Sequence, residues 1–280
     1  MVGLSGHTGL LGSAVKECLI NRGRSIVCFG RNNSDVYWDL NAPASIARED
    51  ASVDFFIHCA ANINIEWCES NPEESYIMHV EAVKHLAEYC RKNESHLILI
   101  SSDYVFSGSN NPYIESAEAD PINIYGKHKL EAEKYLQEFR PCQFSIVRPT
   151  ILYGMSSSGA RDFVGNILRG EVSRLDDRRV KYPLWNEDLA EIICSLIEMN
   201  ECPEVVHVSP KQGLTKFDMY LEIKKVLPNH TPLVQAFDES EFHRVERPKE
   251  VQLASTVTMD VDVKEFFEVS EILAERVLGV

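Results

Sequence analysis

The chain has 280 residues, of which 44% are hydrophobic, and it carries a formal charge of −15 at pH 7. This length allows one large α/β domain or a domain with an appendage. The acidic balance argues against a nucleic-acid partner, because such binding is driven by basic surfaces that displace counterions. No apolar run approaches the roughly 18 to 20 residues that span a bilayer, and no secretory leader precedes the first strand, so we expect a cytoplasmic protein without membrane contacts.

The eight cysteines are scattered along the chain, without a Cys-x-x-Cys pair or histidines clustered at ligand spacing. Several of them lie inside apolar runs such as "SIVCF" and "FFIHCAA", where a free thiol packs as a small hydrophobe. The sequence therefore predicts neither a metal site nor a disulfide framework.

Short apolar runs alternate with helical patterns through the first half of the chain. Strands are predicted at 2–5, 25–29, 53–59, 96–101 and 144–148, and helices at 11–22, 72–92 and 125–139. This alternation indicates parallel strands joined by right-handed crossovers, which is the arrangement of a doubly wound α/β sheet. Since the strands are almost continuously apolar, we expect the sheet to be buried on both faces.

The pattern loosens after Arg148. The stretch "YGMSSSGARDF" is predicted to be a polar loop of small residues. It is followed by predicted helices at 188–199, 216–227 and 263–280 and by one strand at 204–209. We interpret the second half as a smaller C-terminal lobe, with 1–153 and 186–208 in the sheet domain and 154–185 and 209–280 in the lobe.

The stretch "GHTGLLG", from Gly6 to Gly12, follows the first strand and opens the first helix, which is the context of a dinucleotide-binding loop. Gly6 would allow a tight turn, Gly9 a close approach of the backbone to a pyrophosphate, and Gly12 close packing of the helix. The helix N-terminus adds free N–H groups and a partial positive charge. The alternative, a plain strand-to-helix turn, has no need of three spaced glycines.

Arg31 follows the second strand, 19 residues after Gly12, near the position where an acidic residue would hold the ribose of NAD. A cation at this position suits the 2′-phosphate of NADP instead. The sequence therefore favours NADP, with NAD as the alternative. Arg31 could also be a solvated loop arginine that holds no ligand.

Tyr125 and Lys129 are four residues apart in a predicted helix, so their side chains share one face. A nearby ammonium stabilises a phenolate, and we therefore expect the pKa of Tyr125 to lie below its ordinary value near 10. Ser102 follows the fourth strand, at the edge where doubly wound sheets bind their ligands. Ser102 could donate a hydrogen bond to a carbonyl oxygen that Tyr125 protonates while a nicotinamide delivers hydride to the carbon.

The chain resembles the extended short-chain dehydrogenase/reductases of the dTDP-4-dehydrorhamnose reductase family. The resemblance rests on "GHTGLLG", "HCAANINIEWCESNPE", "SSDYVFSG", "PINIYGKHKLEAE", "VRPTILYG", "NEDLAEII" and "ERPKEVQL", which extend from Gly6 to Leu253. It implies a Rossmann fold with a C-terminal substrate lobe, and NADPH-dependent reduction of the 4-keto group of a nucleotide-activated deoxysugar. Ser102, Tyr125 and Lys129 would be the catalytic residues.

The resemblance, together with the position of Arg31, also implies ligand contacts. The implied cofactor-binding residues are Gly6, Thr8, Gly9, Leu10, Leu11, Gly12, Arg31, Asp39, Leu40, Ala60, Ala61, Asn62, Tyr125 and Lys129. The implied substrate-binding residues are Asp103, Val105, Ile151, Trp185 and Arg247. Family members often pair through helices that flank the sheet, which makes a homodimer the candidate assembly.

Two positions depart from the family pattern and leave alternatives open. Ile151 stands where the reductases usually carry an aromatic residue that packs on the sugar, and His79 stands where an asparagine is usual. The motifs "SSDYVF", "ILYG" and "RPKEVQL" are also similar to the regulatory beta subunit of methionine adenosyltransferase, which keeps the NADP site but serves as a binding partner. A nucleotide-sugar epimerase or dehydratase is a third interpretation, although dehydratases usually need an acidic pair beside the serine and only Asp103 follows Ser102.

Overall fold

The computed structural model describes residues 1–48, 51–154, 163–238 and 245–278 of the chain. The strands of these residues are β1 Val2–Ser5, β2 Ile26–Gly30, β3 Val36–Tyr37, β4 Phe55–His58, β5 His96–Ile100, β6 Phe144–Pro149, β7 Leu152–Tyr153, β8 Arg174–Asp176, β9 Leu184–Trp185, β10 Val205–Val208 and β11 Gln235–Phe237. Seven of them form one parallel sheet in the order β10-β6-β5-β4-β1-β2-β3. The predicted parallel sheet is confirmed.

The helices include two that the sequence did not predict, the second and the sixth in chain order, and one predicted helix is divided. They are α1 Leu10–Asn21, α2 Ile65–Ser70, α3 Pro72–Tyr76, α4 Ala82–Lys92, α5 Ile124–Phe139, α6 Phe163–Leu168, α7 Asn186–Leu196, α8 Lys216–Val226 and α9 Phe266–Leu278. A π-helical turn, Ile77–Glu81, separates α3 from α4, so the helix predicted at 72–92 is widened around His79. Helix α9 begins later than the predicted 263, and the end of that prediction lies outside the described residues. Across the described ranges, no helix is both long and apolar enough to cross a membrane.

Helices cover both faces of the sheet. On one face, α1 and α7 pack on a cluster that includes Leu4, Ile98 and Leu189. On the other face, α4 and α5 pack on a cluster that includes Leu97 and Leu136. The neighbours Leu97 and Ile98 belong to opposite clusters because successive strand side chains point to opposite faces. Burial on both sides explains why the strands are almost continuously apolar, and it makes the sheet doubly wound as predicted.

The chain after β6 builds a second hydrophobic cluster beside the sheet. The strand β7 pairs with β9 and β8 pairs with β11, each pair parallel. Helices α6, α8 and α9 enclose Tyr153, Trp185 and Phe266. In sequence between these elements, α7 and β10 return to the large sheet. Most of the polar loop predicted at 153–163 lies in 155–162, outside the described residues.

Candidate active site

The turn between β1 and α1 is closed by two of its three glycines. Gly6 has a φ of +73°, and a Cβ there would lie 2.7 Å from the backbone nitrogen of Ala60. A Cβ at Gly12 would lie 2.1 Å from the carbonyl oxygen of Gly6. A Cβ at Gly9 would meet only that same oxygen, at 3.2 Å. Gly6 and Gly12 are therefore required by the turn itself, whereas a Cβ at Gly9 would make a single tight contact with the turn.

A cavity of about 330 Å³, here called the glycine-turn cavity, lies over this turn at the carboxyl ends of β1, β2 and β4. Of the residues predicted to bind a cofactor, its walls contain Gly6, Thr8, Gly9, Arg31, Asp39, Leu40, Ala60 and Ala61. Three others, Leu10, Leu11 and Gly12, form the first turn of α1. Asn62 lies further along the chain, where its backbone oxygen is 3.1 Å from Nε2 of His79. The carboxyl edge of a parallel sheet is where ligands of such folds bind.

The sequence did not single out His7, Asn32, Trp38 or Met78, which also line the glycine-turn cavity. His7 lies within the glycine stretch, and its Nε2 is 2.8 Å from the carbonyl oxygen of Asn33. Its Nδ1 is buried and has no hydrogen-bond partner among the described residues. A buried polar atom of this kind is normally satisfied by a ligand or by water. With Gly9 and the exposed Arg31 both in the wall, the residues present fit a phosphate-bearing dinucleotide.

The predicted catalytic side chains Ser102 and Tyr125 lie beside each other at the carboxyl end of β5. Ser102 caps a short 3₁₀ turn, Asp103–Val105, and its hydroxyl donates to Oδ1 of Asp103 at 3.0 Å. Tyr125 lies in the first turn of α5, which Asn123 caps by accepting from the backbone N–H of Gly126 at 3.0 Å. A Cβ at Gly126 would lie 2.1 Å from the backbone oxygen of Tyr104, so α5 begins in direct contact with the 3₁₀ turn.

Burial controls the protonation of Tyr125 and Lys129. It raises the pKa of Tyr125 above the ordinary value, against the opposing effect of a hydrogen bond with the Ser102 side chain. The expected lowering of this pKa by Lys129 is therefore wrong for this structure. The Lys129 ammonium donates to the Ile100 carbonyl oxygen at 2.9 Å and lies 6.0 Å from the centre of the Tyr125 ring. Burial lowers the pKa of Lys129 to about 8.

His79 contacts the other side of Tyr125. Their rings meet edge to face with centroids 5.5 Å apart. Nδ1 of His79 is 2.9 Å from the backbone oxygen of Ser75, and the Ser75 hydroxyl is 2.9 Å from Nδ1 of His128. Burial lowers the pKa of His79 to about 3, so this imidazole is neutral near pH 7. The widened π turn carries His79 to this position.

A second, smaller cavity of about 80 Å³, here called the cationic cavity, lies next to Tyr104. Its walls are Tyr104, Ile151, Asp176, Arg179, Lys181, Lys216 and Arg247. Of the predicted substrate-binding residues, Ile151 and Arg247 are among them. The Lys181 ammonium lies 5.6 Å from the centre of the Tyr104 ring, and it interacts electrostatically with Asp103, the third predicted residue. Burial lowers the pKa of Lys181.

The other two predicted substrate-binding residues pack in hydrophobic clusters. Val105 is completely buried with Phe106 and Tyr113. Trp185 is buried against the ring of Tyr153, with centroids 5.5 Å apart. In contrast, sequence reasoning missed four polar wall residues of the cationic cavity, namely Asp176, Arg179, Lys181 and Lys216. The basic stretch "DDRRVK" was the signal for three of them, and nothing in the sequence marked Lys216.

The comparisons with known proteins agree with this architecture. The family model described as RmlD substrate binding domain matches residues 1–273 of the chain. Methionine adenosyltransferase 2 subunit beta of Bos taurus is 28% identical over 264 residues, which cover 89% of this chain and 79% of that protein. The dTDP-4-dehydrorhamnose reductase of Streptomyces griseus is 31% identical over 199 residues, which cover 69% of this chain and 64% of that protein.

The fold is also that of a solved reductase. The crystal structure of dTDP-4-dehydrorhamnose reductase from Bacillus anthracis in complex with NADP matches with a TM-score of 0.83 and 23% identity, over 97% of each chain. This likeness concerns the fold. Because the family model covers almost the whole chain, the protein belongs to the RmlD substrate binding domain family.

Proposed function

We propose that the protein is an NADPH-dependent reductase of the 4-keto group of a nucleotide-activated deoxysugar. The observation that carries this proposal is the position of Ser102 and Tyr125 beside the buried Lys129, at the same edge of the sheet as the glycine-turn cavity. NADP as cofactor is supported by Arg31 at that cavity and by the relative from Bacillus anthracis that holds NADP.

Each of the three side chains has a separate role in the proposed reaction. The Ser102 hydroxyl, which donates to Asp103 in the structure, would turn to donate to the substrate carbonyl oxygen, and this hydrogen bond polarises the carbonyl. Tyr125 donates its proton to that oxygen, and its raised pKa keeps the proton in place at neutral pH until transfer. The Lys129 ammonium stabilises the negative charge that Tyr125 gains. Bound NADPH would supply the hydride to the carbon, so the ketone becomes a hydroxyl.

The cationic cavity supports a substrate with phosphate groups. Lys181 and Arg247 are attached to separate segments and both line its walls. Arg247 is also paired with Glu66, and its Nε is buried without a hydrogen-bond partner in the described ranges. Partly buried cations at one cavity favour an anionic ligand, because charge-assisted hydrogen bonds to cations are strong and Arg247 still has a donor without a partner in the described ranges. The diphosphate of a nucleotide sugar has the required charge.

The proposal also covers the two parts of the chain, the compartment, the assembly and the excluded partners. The sheet domain, 1–153 and 186–208, binds the cofactor, and the lobe, 154–185 and 209–280, binds the sugar. The protein acts in the cytoplasm as a homodimer, without nucleic-acid or membrane partners. The formal charge of −15 supports the first of these exclusions.

A noncatalytic regulatory subunit is the second candidate. It is favoured by the relative from Bos taurus, which matches 89% of this chain, against 69% for the reductase of Streptomyces griseus. In such a protein the glycine-turn cavity would still hold NADP, and Tyr125 would be retained without being used. The two candidates differ in one measurable property, which is oxidation of NADPH in the presence of a keto sugar.

Replacement of Tyr125 by phenylalanine tests the proposal. The change removes one hydroxyl and keeps the ring, so NADPH affinity should change little, while turnover of nucleotide 4-keto-6-deoxysugars should fall by about 10² to 10⁴, the usual contribution of a general acid. The matched control is Tyr135→Phe on the same helix, away from both cavities, which should leave turnover unchanged. Turnover is measured as the sugar-dependent loss of NADPH absorbance.

A wild-type protein that binds NADPH but oxidises none of it across a panel of nucleotide 4-keto sugars would sink the reductase proposal. The regulatory candidate would then be tested by titration of the purified protein into a purified methionine adenosyltransferase catalytic subunit. Formation of a complex would support it.

A further inference from the structure

A buried ion pair joins the helix of Tyr125 to the neighbouring strand. Glu133 on α5 is completely buried, and Arg148 on β6 is 5% exposed. Arg148 donates from Nη2 to Oε2 of Glu133 at 2.6 Å and from Nε to both carboxylate oxygens at 3.2 Å. Desolvation offsets most of the attraction in such a pair, so its net contribution to stability is small. Stability alone therefore does not explain why a charged pair is buried at this position.

Glu133 also holds the strand end that carries Ser102. The Ser101 hydroxyl donates to Oε1 of Glu133. One turn earlier on α5, Lys129 donates to the carbonyl oxygen of Ile100 at 2.9 Å. Two side chains on one face of α5, Lys129 and Glu133, thus form hydrogen bonds with the consecutive residues Ile100 and Ser101. These contacts fix the position of Ser102 relative to Lys129 and Tyr125.

Arg148 extends the network to the far side of β6. Its Nη1 donates to Nε2 of His207 at 3.2 Å, and Nδ1 of His207 donates to the backbone oxygen of Tyr113 at 3.1 Å. Burial lowers the pKa of His207, which keeps the ring neutral and able to accept at Nε2. The Arg148 guanidinium is therefore held on two sides and cannot turn away from Glu133.

We propose that Glu133 and Arg148 are positioning residues, which set the geometry of Ser102 and the charge of Lys129 for proton transfer by Tyr125. This inference rests on the proposed reductase function. Neither residue lines the glycine-turn cavity or the cationic cavity as described. They act through Ser101 and Lys129 and do not contact the substrate.

The electrostatic part of this role concerns Lys129. Burial lowers its pKa to about 8, and the carboxylate of Glu133 acts in the opposite direction. The other titratable groups that face Lys129 are His58, Cys59, Cys68, His79 and the Tyr125 ring. Because burial keeps His58 and His79 neutral, Glu133 is the carboxylate that keeps Lys129 charged near neutral pH.

The test measures Lys129 directly in the cofactor-free protein. Protein labelled with ¹³C-lysine is titrated by NMR, and the Lys129 signal is assigned by its absence in Lys129→Met. We expect a midpoint near pH 8 in the wild type. In Glu133→Gln the midpoint should fall by about one unit, the usual effect of a nearby opposite charge. Glu131→Gln, an exposed position on the same helix, should not change it.

Turnover is measured on the same variants and on the double variant Glu133→Leu/Arg148→Met, which replaces the ion pair by apolar groups and avoids an unpaired buried charge. We expect both Glu133 variants to lose roughly 10- to 100-fold in kcat, since small displacements of reacting groups have effects of this size. A folded double variant with the turnover and Lys129 midpoint of the wild type would show that the pair is only structural and would overturn the inference.

Failure of the proposed function is a separate result. A wild type without reductase activity contradicts the reductase, whereas the NMR midpoint still reports on Glu133. If the wild type is active and the Lys129 midpoint is the same in Glu133→Gln as in the wild type, the inference about Glu133 is overturned. If Glu133→Gln does not fold, the turnover and the Lys129 midpoint of the double variant Glu133→Leu/Arg148→Met test the inference.

Discussion

The two cavities are built in different ways. The glycine-turn cavity is lined mainly by residues that directly follow β1, β2 and β4, so neighbouring strands bring short stretches of sequence together at one edge. The cationic cavity takes Tyr104 from the end of β5, Ile151 from the end of β6, Lys216 from α8 and Arg247 from a distant segment. The order of the strands in the sheet is enough to form the glycine-turn cavity. The cationic cavity forms only when the segments after β6 pack beside the sheet.

The two cavities would therefore recognise their ligands differently, the first through backbone groups and the second through side chains. At the glycine turn, a ligand would meet backbone N–H groups and a helix N-terminus, which the turn supplies whatever side chains surround it. At the cationic cavity, a ligand would meet charged side chains, each of which can change without altering the fold. Related proteins can therefore share the first cavity and bind different molecules in the second.

Among the changes that compare the two cavities, the largest effect is expected from a reversed charge in the cationic cavity. Lys181→Glu replaces a cation of the cavity wall by a carboxylate, which would repel the diphosphate of the substrate, and such a like-charge juxtaposition costs several kcal/mol. The kcat/KM for a nucleotide 4-keto sugar should therefore fall by roughly 10²- to 10³-fold. NADPH affinity, measured by fluorescence, should stay the same because the glycine turn is untouched.

Two controls accompany this change. Lys134→Glu reverses an exposed charge on α5 and should have no effect on either ligand. Lys181→Met removes the charge without reversing it and should give a smaller loss than Lys181→Glu. If Lys181→Glu weakens NADPH and leaves the sugar unaffected, the two cavities have been assigned to the wrong ligands.

Gly9→Val is the corresponding change at the other cavity. Its side chain would project from the wall of the glycine-turn cavity, and overfilling of such a site costs about 1–3 kcal/mol, which is about 5- to 150-fold in affinity. NADPH and NADH should both bind more weakly, while product binding at the cationic cavity is retained. Thermal unfolding of the cofactor-free variant checks that the turn is intact. Normal binding of both cofactors would mean that the loop only turns the chain.

Arg31→Asp sharpens the comparison within the glycine-turn cavity, because it alters a side chain and leaves the backbone unchanged. Arg31 is exposed, so solvent weakens its interactions. We expect the ratio of the NADH and NADPH dissociation constants to shift by roughly fivefold towards NADH. An unchanged ratio would remove the argument that Arg31 selects the 2′-phosphate.

The sequence predicted six of the seven strands of the sheet, because they are nearly continuous apolar runs, and it predicted the turn that needs glycine at Gly6 and Gly12. It missed the two-residue edge strand β3, which is too short to show a pattern. The sequence did not predict properties that depend on tertiary packing. The pKa of Tyr125 depends on how completely α5 is covered, which the spacing to Lys129 does not reveal. The approach of Lys181 to Tyr104 likewise requires the lobe to be in place.

The smallest effect, a halving of turnover at about pH 8, is expected from pH, and it concerns Lys129 beside Tyr125. Turnover needs the charged form of Lys129, because only the ammonium stabilises the charge that Tyr125 gains as it donates its proton. Turnover should therefore fall as pH rises through about 8, and it should be half of its plateau at the pKa of Lys129. Tyr125 is not the titrating group, since its own pKa is raised. The pH profile of kcat at saturating NADPH and sugar measures this limb, and a profile flat to pH 10 would contradict the role of Lys129.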